Sequence, residues 1–445
     1  VYKRQLEYGL SAETFETGGF DVVPDRLATH TGDRDGARIA ALTGSARYAA
    51  GGYGADLLFQ ARRSEGAFDT FSGGAFFDLR ADDPDLENEA SQSVWRLGGD
   101  YAAGDRLAMR ASGGQVRSDR AERDGGVETT SAQSTRSFVD VTTRYVSEHS
   151  TLTAGLSLER NRINTAPQFA TPLHIGEDQT AVTLVGQTEY SSLVFTGAVR
   201  IDRYERFGTE TTYSTGVVAG LGQLRLYASS GTAFKAPSLN ERFELSPPFN
   251  LGNPNLKPER AQAWEIGADW TPGGEFKLGV SYYSTQIENL IEYDFLQSSN
   301  VNVGEAEIEG AEAFLEASPF DWISARLAYD WTDARNGSTG QQLLRRPEHA
   351  WRAEMEFAPS SRWGLGLAFN RVGARRDVTY ADAGAFLSAA ERIPGFDLIT
   401  LWTHYDLGGA EFFARAENVL DEHYEQPAAF AGAPRNFQLG VRARF

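Results

Sequence analysis

The feature that most constrains this chain is an alternation of apolar and polar side chains that recurs along most of its length. Within residues 181–202 the apolar set is Val182, Leu184, Gly186, Tyr190, Leu193, Phe195, Gly197, Val199 and Ile201. The polar set between them is Thr183, Gln187, Glu189, Thr196, Arg200 and Asp202. Because successive side chains of a β-strand point to opposite faces, a period of two predicts strands with one apolar and one polar face.

The hydropathy of the chain limits the environments, water or membrane, in which such strands can lie. Charged residues make up 23% of the 445 residues and hydrophobic ones 41%, and no stretch reaches the roughly 18 unbroken apolar residues of a membrane helix. A helical membrane protein is therefore excluded. A transmembrane β-barrel is not, because alternate side chains face lipid and lumen and the hydropathy averages out. A soluble β-sandwich has the same periodicity.

The connections between the alternating segments favour the barrel. Very short turns recur at 50–54, 102–105, 147–150, 190–192, 219–223, 272–275, 318–321, 359–362 and 407–410. Between them we expect loops of roughly 10 to 25 residues rich in Gly, Asp, Pro and Ser, and tight turns on one rim with long loops on the other are typical of outer-membrane barrels. The predicted fold is an all-β, antiparallel transmembrane barrel with short periplasmic turns and long extracellular loops.

The alternation predicts about twenty strands, the first at residues 6–15 and the last at 436–445. Transport barrels with a plugged lumen have about twenty-two strands. We therefore expect residues 1–445 to form a single barrel domain, N-terminally truncated, that lacks a plug domain and the first hairpin of the barrel.

Composition excludes several classes of function. The net charge of −19 argues against nucleic acid as a partner, and the absence of cysteine excludes thiolate chemistry. Glu354 and Glu356 lie two apart on one strand face, as an acid/base pair would, but they continue a run of polar lumen positions. No nucleophile elbow or zinc spacing occurs, so we expect no enzyme and no required cofactor.

Several segments carry a resemblance to a known family. Residues 231–243 read GTAFKAPSLNERF, 252–259 read GNPNLKPE and 263–267 read AWEIG. Further segments are VG at 303–304, IEGAE at 308–312, RPEH at 346–349 and ENVLDEHY at 417–424. Together these resemble the barrel of the TonB-dependent receptors. The resemblance implies a Gram-negative outer membrane, active uptake of a scarce metal chelate, and a TonB energy-transducing complex that acts through a TonB box preceding the barrel.

The resemblance also implies which residues have a function. Loop residues expected to contact the substrate are Phe234, Lys235, Asn240, Arg242, Asn253 and Asn255. The last strand is similar to the signal recognised by the barrel-assembly machinery, through Phe437, Leu439, Val441 and Phe445. Outer-membrane lipid and lipopolysaccharide are the expected surroundings, and the protein is expected to be a monomer.

The loops look most like those of the cobalamin (vitamin B12) branch. The matching segments are ETGGFD at 16–21, DRDG at 33–36, GARRD at 373–377 and IPGF at 393–396. That branch can bind calcium through loop aspartates, and Asp21, Asp25, Asp33 and Asp35 supply hard oxygen ligands of the required kind. The same aspartates also suit ordinary turn chemistry and solvation. No histidine lies between Phe234 and Asn255, which disfavours haem.

Three alternatives stay open at this point. A ferric-siderophore receptor would share the whole architecture. A passive diffusion porin would have fewer strands, a constriction loop folded inward and no plug. A soluble adhesin of several sandwiches would have polar outer faces on all its strands.

Overall fold

The computed structural model describes residues 5–69, 83–166, 171–243, 251–294, 297–302, 304–381 and 386–443. Its first thirteen strands are β1 (Gln5–Thr17), β2 (Ala37–Ala50), β3 (Tyr53–Ala67), β4 (Leu86–Ala103), β5 (Leu107–Asp124), β6 (Val127–Val146), β7 (Ser150–Ala166), β8 (Leu173–Tyr190), β9 (Leu193–Tyr204), β10 (Gly208–Leu221), β11 (Leu224–Lys235), β12 (Glu259–Trp270) and β13 (Phe276–Glu288). The others are β14 (Ile291–Asp294), β15 (Ser299–Asn302), β16 (Glu305–Phe320), β17 (Ile323–Asn336), β18 (His349–Ser360), β19 (Trp363–Val372), β20 (Arg375–Tyr380), β21 (Phe386–Ile393), β22 (Phe396–Asp406), β23 (Ala410–Glu417) and β24 (Asn436–Ala443). One short helix, α1 (Leu239–Phe243), lies between β11 and β12.

Twenty of these strands form one antiparallel sheet in which chain neighbours are hydrogen-bonded neighbours. The other four form two small hairpins, β14–β15 and β20–β21, which lie within connections between wall strands. The predicted strand number is confirmed, and the first wall strand begins one residue before the predicted start. The twentieth begins at Asn436, as predicted. No helix of the described residues is long and apolar enough to cross a membrane.

The two rims of the sheet differ as predicted. The connections at one rim are tight, for example residues 51–52 after β2 and 191–192 after β8. The opposite rim carries the long connections, such as 18–36, 236–258 and 418–435. Two connections on that rim are nevertheless only two and three residues long, after β5 and after β9. At the first of these, β5 and β6 themselves continue outward, and they reach 18 and 20 residues.

Burial is inverted relative to a soluble protein. Large apolar side chains on one face of the wall are exposed, among them Leu156 at 42%, Leu184 at 44% and Val182 at 54%. The alternate face carries Asp202, which is only 1% exposed and accepts hydrogen bonds from Arg200 and Gln179. An apolar exterior around a polar interior fits a wall in lipid. It contradicts the soluble adhesin, which required polar outer faces.

Aromatic rings lie over glycines on the inner face of the wall. A Cβ at Gly366 would lie 2.0 Å from the Trp402 ring, its register partner on the next strand. The same close pairing recurs across neighbouring strands at Gly114–Phe138, Gly267–Tyr227, Gly279–Phe314, Gly310–Tyr283 and Gly440–Phe413. A glycine within a strand often marks such a close approach. The bare backbone is covered by a ring from the adjacent strand.

The first and last hairpins of the sheet contact each other through their loops. Val23, Leu27 and Ala429 are buried together, and Val378 packs against them. Val23 and Leu27 follow β1, Ala429 precedes β24 and Val378 lies on β20. Loops from opposite ends of a twenty-stranded meander can meet only if the sheet curves round on itself. This contact therefore shows that the sheet curves into a barrel at the loop rim.

Candidate ligand-binding loops

Three aspartates from two neighbouring loops converge at the loop rim. A carboxylate oxygen from each of Asp21, Asp35 and Asp69 lies within 4.8 Å of the others. Asp21 and Asp35 lie in the loop after β1, and Asp69 lies just after β3. Carboxylate oxygens at this spacing are the ligand type that Ca²⁺ prefers. Two of the four aspartates proposed from the sequence are thus brought together, with one that was not proposed.

Backbone amides hold the cluster in place. Asp21 accepts hydrogen bonds from the Val23 N–H at 2.7 Å and the Gly32 N–H at 3.0 Å. Asp35 accepts one from the Val22 N–H at 3.1 Å. The His30 Nδ1 lies 2.7 Å from Asp21 Oδ2. These bonds fix the direction of two of the three carboxylates.

The other two proposed aspartates lie outside this cluster. Asp25 is exposed and lines a cavity between the loops. Asp33 accepts a hydrogen bond from the N–H of Arg34, at 2.8 Å. Asp69 could not be paired with Asp21 from sequence, because 47 intervening residues include two full strands. Its only local signal is that it is the first carboxylate after β3.

The middle loop is held by an ion cluster centred on Lys235. The Lys235 ammonium lies 3.3 Å from Glu241 and 3.2 Å from Glu259, so it joins α1 to the start of β12. Ser238 and Glu241 exchange hydrogen bonds of 2.7 and 3.1 Å through side chain and backbone, which caps the helix reciprocally. Partial burial favours the neutral form of Glu241, but Ser238 and Lys235 together hold its pKa below the usual value.

Arg242 is buried inside the same loop region. Only 4% of the residue is exposed, and its guanidinium donates to Glu177 of β8 at 3.2 Å. It also lies over the rings of Phe207 and Phe243, at 5.6 and 4.8 Å from their centroids. The guanidinium is thereby occupied within the protein, so this residue positions α1 against the wall.

The other proposed contact residues differ in their surroundings. Asn253 donates from its side chain to the Asn300 carbonyl at 2.9 Å and accepts from the Asn255 N–H at 3.0 Å. Phe234 packs edge-on against Tyr204, with ring centroids 5.9 Å apart. The side chains of Asn240 and Asn255 are exposed. Two asparagines are therefore open to an external ligand, while Asn253 shapes its loop.

A cavity of about 520 Å³ lies between three loops near the aspartate cluster. Arg26, Phe396, His423 and Tyr424 are among its lining residues. Tyr424 packs against Phe396 in a tilted arrangement with ring centroids 4.3 Å apart, and burial raises the pKa of the Tyr424 hydroxyl. The sequence did not point to this cavity, because its lining comes from loops that are far apart in the chain.

The last strand presents the predicted apolar face. Phe437, Leu439 and Val441 are 74%, 85% and 59% exposed on β24. The fourth residue of the proposed assembly signal, Phe445, lies outside the described residues. Among the described residues, β24 is hydrogen-bonded to β23 alone and β1 to β2 alone.

Comparison with known proteins identifies the family. The model of the family described as TonB dependent receptor-like, beta-barrel, matches residues 15–419. The chain therefore belongs to the TonB-dependent receptor β-barrel family and is a protein of the Gram-negative outer membrane. Members of this family are receptors and transporters, which confirms the prediction that the chain is not an enzyme.

Two relatives are more specific. The chain is 29% identical over 271 residues to proteins named vitamin B12 transporter BtuB from two strains of Vibrio cholerae serotype O1. The match covers 60% of this chain and 42% of each relative, so the chain aligns with less than half of the relatives' length.

Solved structures share the fold at low identity. They include a mutant of the ferric enterobactin receptor PfeA from Pseudomonas aeruginosa, with a TM-score of 0.80 at 14% identity, covering 98% of this chain and 75% of that one. The ferric-catecholate import receptor Fiu from Escherichia coli K12 gives 0.78 at 12% identity, with coverages of 100% and 79%. The FrpB iron transporter from Neisseria meningitidis gives a TM-score of 0.78 at 15% identity, and the match covers 98% of this chain and 77% of that one. These likenesses concern the fold alone.

Proposed function

We propose that this barrel belongs to an active transporter for a scarce metal chelate, and that the chelate is cobalamin. The observation that supports the substrate is the 29% identity to vitamin B12 transporters. Uptake of a dilute ligand through a plugged lumen needs energy, which a TonB complex of the inner membrane would supply through the plug. The barrel wall performs no covalent chemistry in this process.

The loops would capture the ligand before it reaches the lumen. Asn240 and Asn255 are the proposed polar contacts, since both side chains are exposed, Asn240 on α1 and Asn255 in the connection that follows it. Lys235 and Arg242 hold those loops through their ion pairs with Glu241, Glu259 and Glu177. Phe234 and Asn253 complete the packing beneath.

The aspartate cluster would hold a structural calcium ion. Asp21, Asp35 and Asp69 fit such an ion because each offers a carboxylate oxygen within 4.8 Å of the others. Bound calcium would offset two of the three negative charges and join the loop after β1 to the loop after β3. Ligand capture by these loops would then depend on calcium.

Binding of cyanocobalamin to outer membranes that carry the full-length protein tests both parts. We expect saturable binding that EGTA weakens and added calcium restores, with ferric enterobactin as the comparison ligand. Asp69→Asn should reduce the calcium effect, whereas Asp33→Asn, a nearby loop aspartate outside the cluster, should leave it unchanged. Binding of the siderophore alone would leave the family intact and refute the cobalamin assignment.

The remaining proposed partners follow from the position of the barrel in the outer membrane. The terminal strand would be recognised by the barrel-assembly machinery through the face of Phe437, Leu439, Val441 and Phe445. Lipopolysaccharide would surround the outer half of the wall, and the barrel would work as a monomer.

Conductance measurements on the complete protein separate this function from that of a porin, because a plugged transporter should not conduct steadily in a planar bilayer.

A further inference from the structure

A continuous row of aromatic rings and guanidinium groups lies at the loop rim, where the turn after β9 meets α1. Tyr204 stacks on Phe207 with ring centroids 4.2 Å apart. Arg242 contacts the rings of Phe207 and Phe243, with its guanidinium carbon 5.6 and 4.8 Å from their centroids. Arg206 lies over the Phe243 ring at 5.6 Å and ends the row. Rings and guanidinium groups thus alternate from Phe207 to Arg206.

Two consecutive residues of β8 anchor both guanidinium groups. The Glu177 carboxylate accepts a hydrogen bond from Arg242 at 3.2 Å. The Gly176 carbonyl accepts from the Nε and Nη2 of Arg206 at 3.3 and 3.0 Å. Such bonds use N–H groups in the plane of the guanidinium and leave its faces for contact with rings. Phe243 lies on one side of Arg206, and Arg206 is exposed to solvent. The row therefore ends in an oriented, exposed guanidinium group.

The row starts on the lumen side of the wall. Tyr204 follows the inward Asp202 by two residues on β9 and therefore has the same orientation. The other end of the row is close to a proposed ligand contact, because the exposed Asn240 and the ring of Phe243 belong to the same short helix. Three residues separate them, which is less than one helical turn. A ligand held at Asn240 would thus lie near the exposed end of the row.

We propose that the exposed guanidinium group of Arg206 binds the benzimidazole ring of cobalamin, so that this ring continues the row. The proposal rests on the proposed function, because it assigns one group of that chelate to one side chain. A guanidinium is attracted to the face of an aromatic ring, and its planar shape lets it stack there. Arg206 is already held by Gly176 and Phe243, so it loses little side-chain freedom when the ring binds.

The test is equilibrium binding of two corrinoids to outer membranes that carry the full-length protein. The corrinoids are cyanocobalamin and dicyanocobinamide, which lacks the benzimidazole ring. Arg206→Ala should weaken the binding of cyanocobalamin about three- to ten-fold, since it removes the cation–π contact. The same variant should bind dicyanocobinamide as the unmodified protein does. Unchanged binding of cyanocobalamin, or an equal loss for both corrinoids, would overturn the proposal.

A second variant separates the ring from the phosphate of cobalamin, which dicyanocobinamide also lacks. Arg206→Lys keeps the positive charge but loses the planar group, so it should also bind cyanocobalamin more weakly than the unmodified protein. A lysine variant with full affinity would show that the charge meets the phosphate, and it would overturn the assignment to the ring.

The matched control is Arg203→Ala, which removes an exposed arginine from the outward face of β9. It should bind both corrinoids as the unmodified protein does. Binding of ferric enterobactin in place of both corrinoids would refute the proposed function and this proposal with it. Corrinoid binding that does not depend on Arg206 would refute this proposal alone.

Discussion

Ala431 donates its backbone N–H to the carbonyl oxygen of Val22 at 2.8 Å, which joins the loop before the last strand to the loop after the first. Arg26 and Glu425 form an ion pair between the same loops, with an Nη2 to Oε2 distance of 2.9 Å. Beneath them, Leu27 is 2% exposed. The ends of the sheet are thus held together by their loops, independently of strand pairing.

Shortening Leu27 should loosen this contact without unfolding the wall. Leu27→Ala removes buried apolar volume, and such truncations cost about 2 to 5 kcal/mol. Hydrogen exchange followed by mass spectrometry should show faster exchange in 18–36 and 418–435 and unchanged exchange in the strands. Leu344→Ala is the control, because Leu344 is 40% exposed in another loop. Unchanged exchange in both loops would mean that the cluster does not hold the ends together.

The order of α1 should depend on pH through Glu241. Its pKa is lowered in the folded protein because, although burial opposes ionisation, Ser238 and Lys235 stabilise the carboxylate. The ionised group therefore stabilises the loop above the ordinary glutamate pKa of about 4.3, and this stabilisation is lost as the pH falls through the lowered value.

Glu241→Gln should reproduce the acidic state at neutral pH. A nitroxide spin label at Asn240 should show faster motion in this variant at pH 7, and in the unmodified loop only under acid conditions. Glu292→Gln, at an exposed position on β14, is the control and should change nothing. A spectrum that is the same at neutral and acid pH would show that Glu241 does not order the helix.

The wall could be predicted because its signal is local. Strand faces follow from a period of two, so Val182, Leu184 and Ile201 were correctly assigned to the outer face from sequence. The tight turns were located for the same reason, since a turn interrupts the alternation where it occurs. Lipid on one face and a polar lumen on the other leave each strand only one acceptable orientation.

The loop sites could not be predicted in the same way. Asp69 joins Asp21 and Asp35 only because two loops meet in space. In the sequence Arg242 looks like an exposed cation of a polar loop. It is nevertheless buried, because Glu177 of a distant strand neutralises its charge. The outward continuation of β5 and β6 was also missed, since their polar outer residues read as loop. Contacts between loops depend on the closed wall, which no local pattern encodes.

The ring over Gly366 should make that glycine hard to replace. A Cβ there would lie 2.0 Å from Trp402, so Gly366→Ala must displace the indole, and overpacking of this kind costs about 1 to 3 kcal/mol. Gly155 offers a matched control on the inner face, because a Cβ there meets nothing closer than 3.8 Å. Urea unfolding of the refolded barrel in lipid should show a loss for Gly366→Ala and none for Gly155→Ala. A similar result for both would show that the indole moves freely.

Two neighbouring residues of β19 test the assignment of the faces themselves. Leu367 pairs with Met355 and Leu401 on the apolar outer face, whereas Ala368 pairs with Glu354 and Thr400 on the polar inner face. Leu367→Arg should destabilise the barrel by about 2 to 4 kcal/mol if it lies near the bilayer midplane. Ala368→Arg should cost much less, because its charge enters the lumen beside a carboxylate. Both are measured by the same unfolding titration, and equal losses would contradict the inside-out arrangement of the wall.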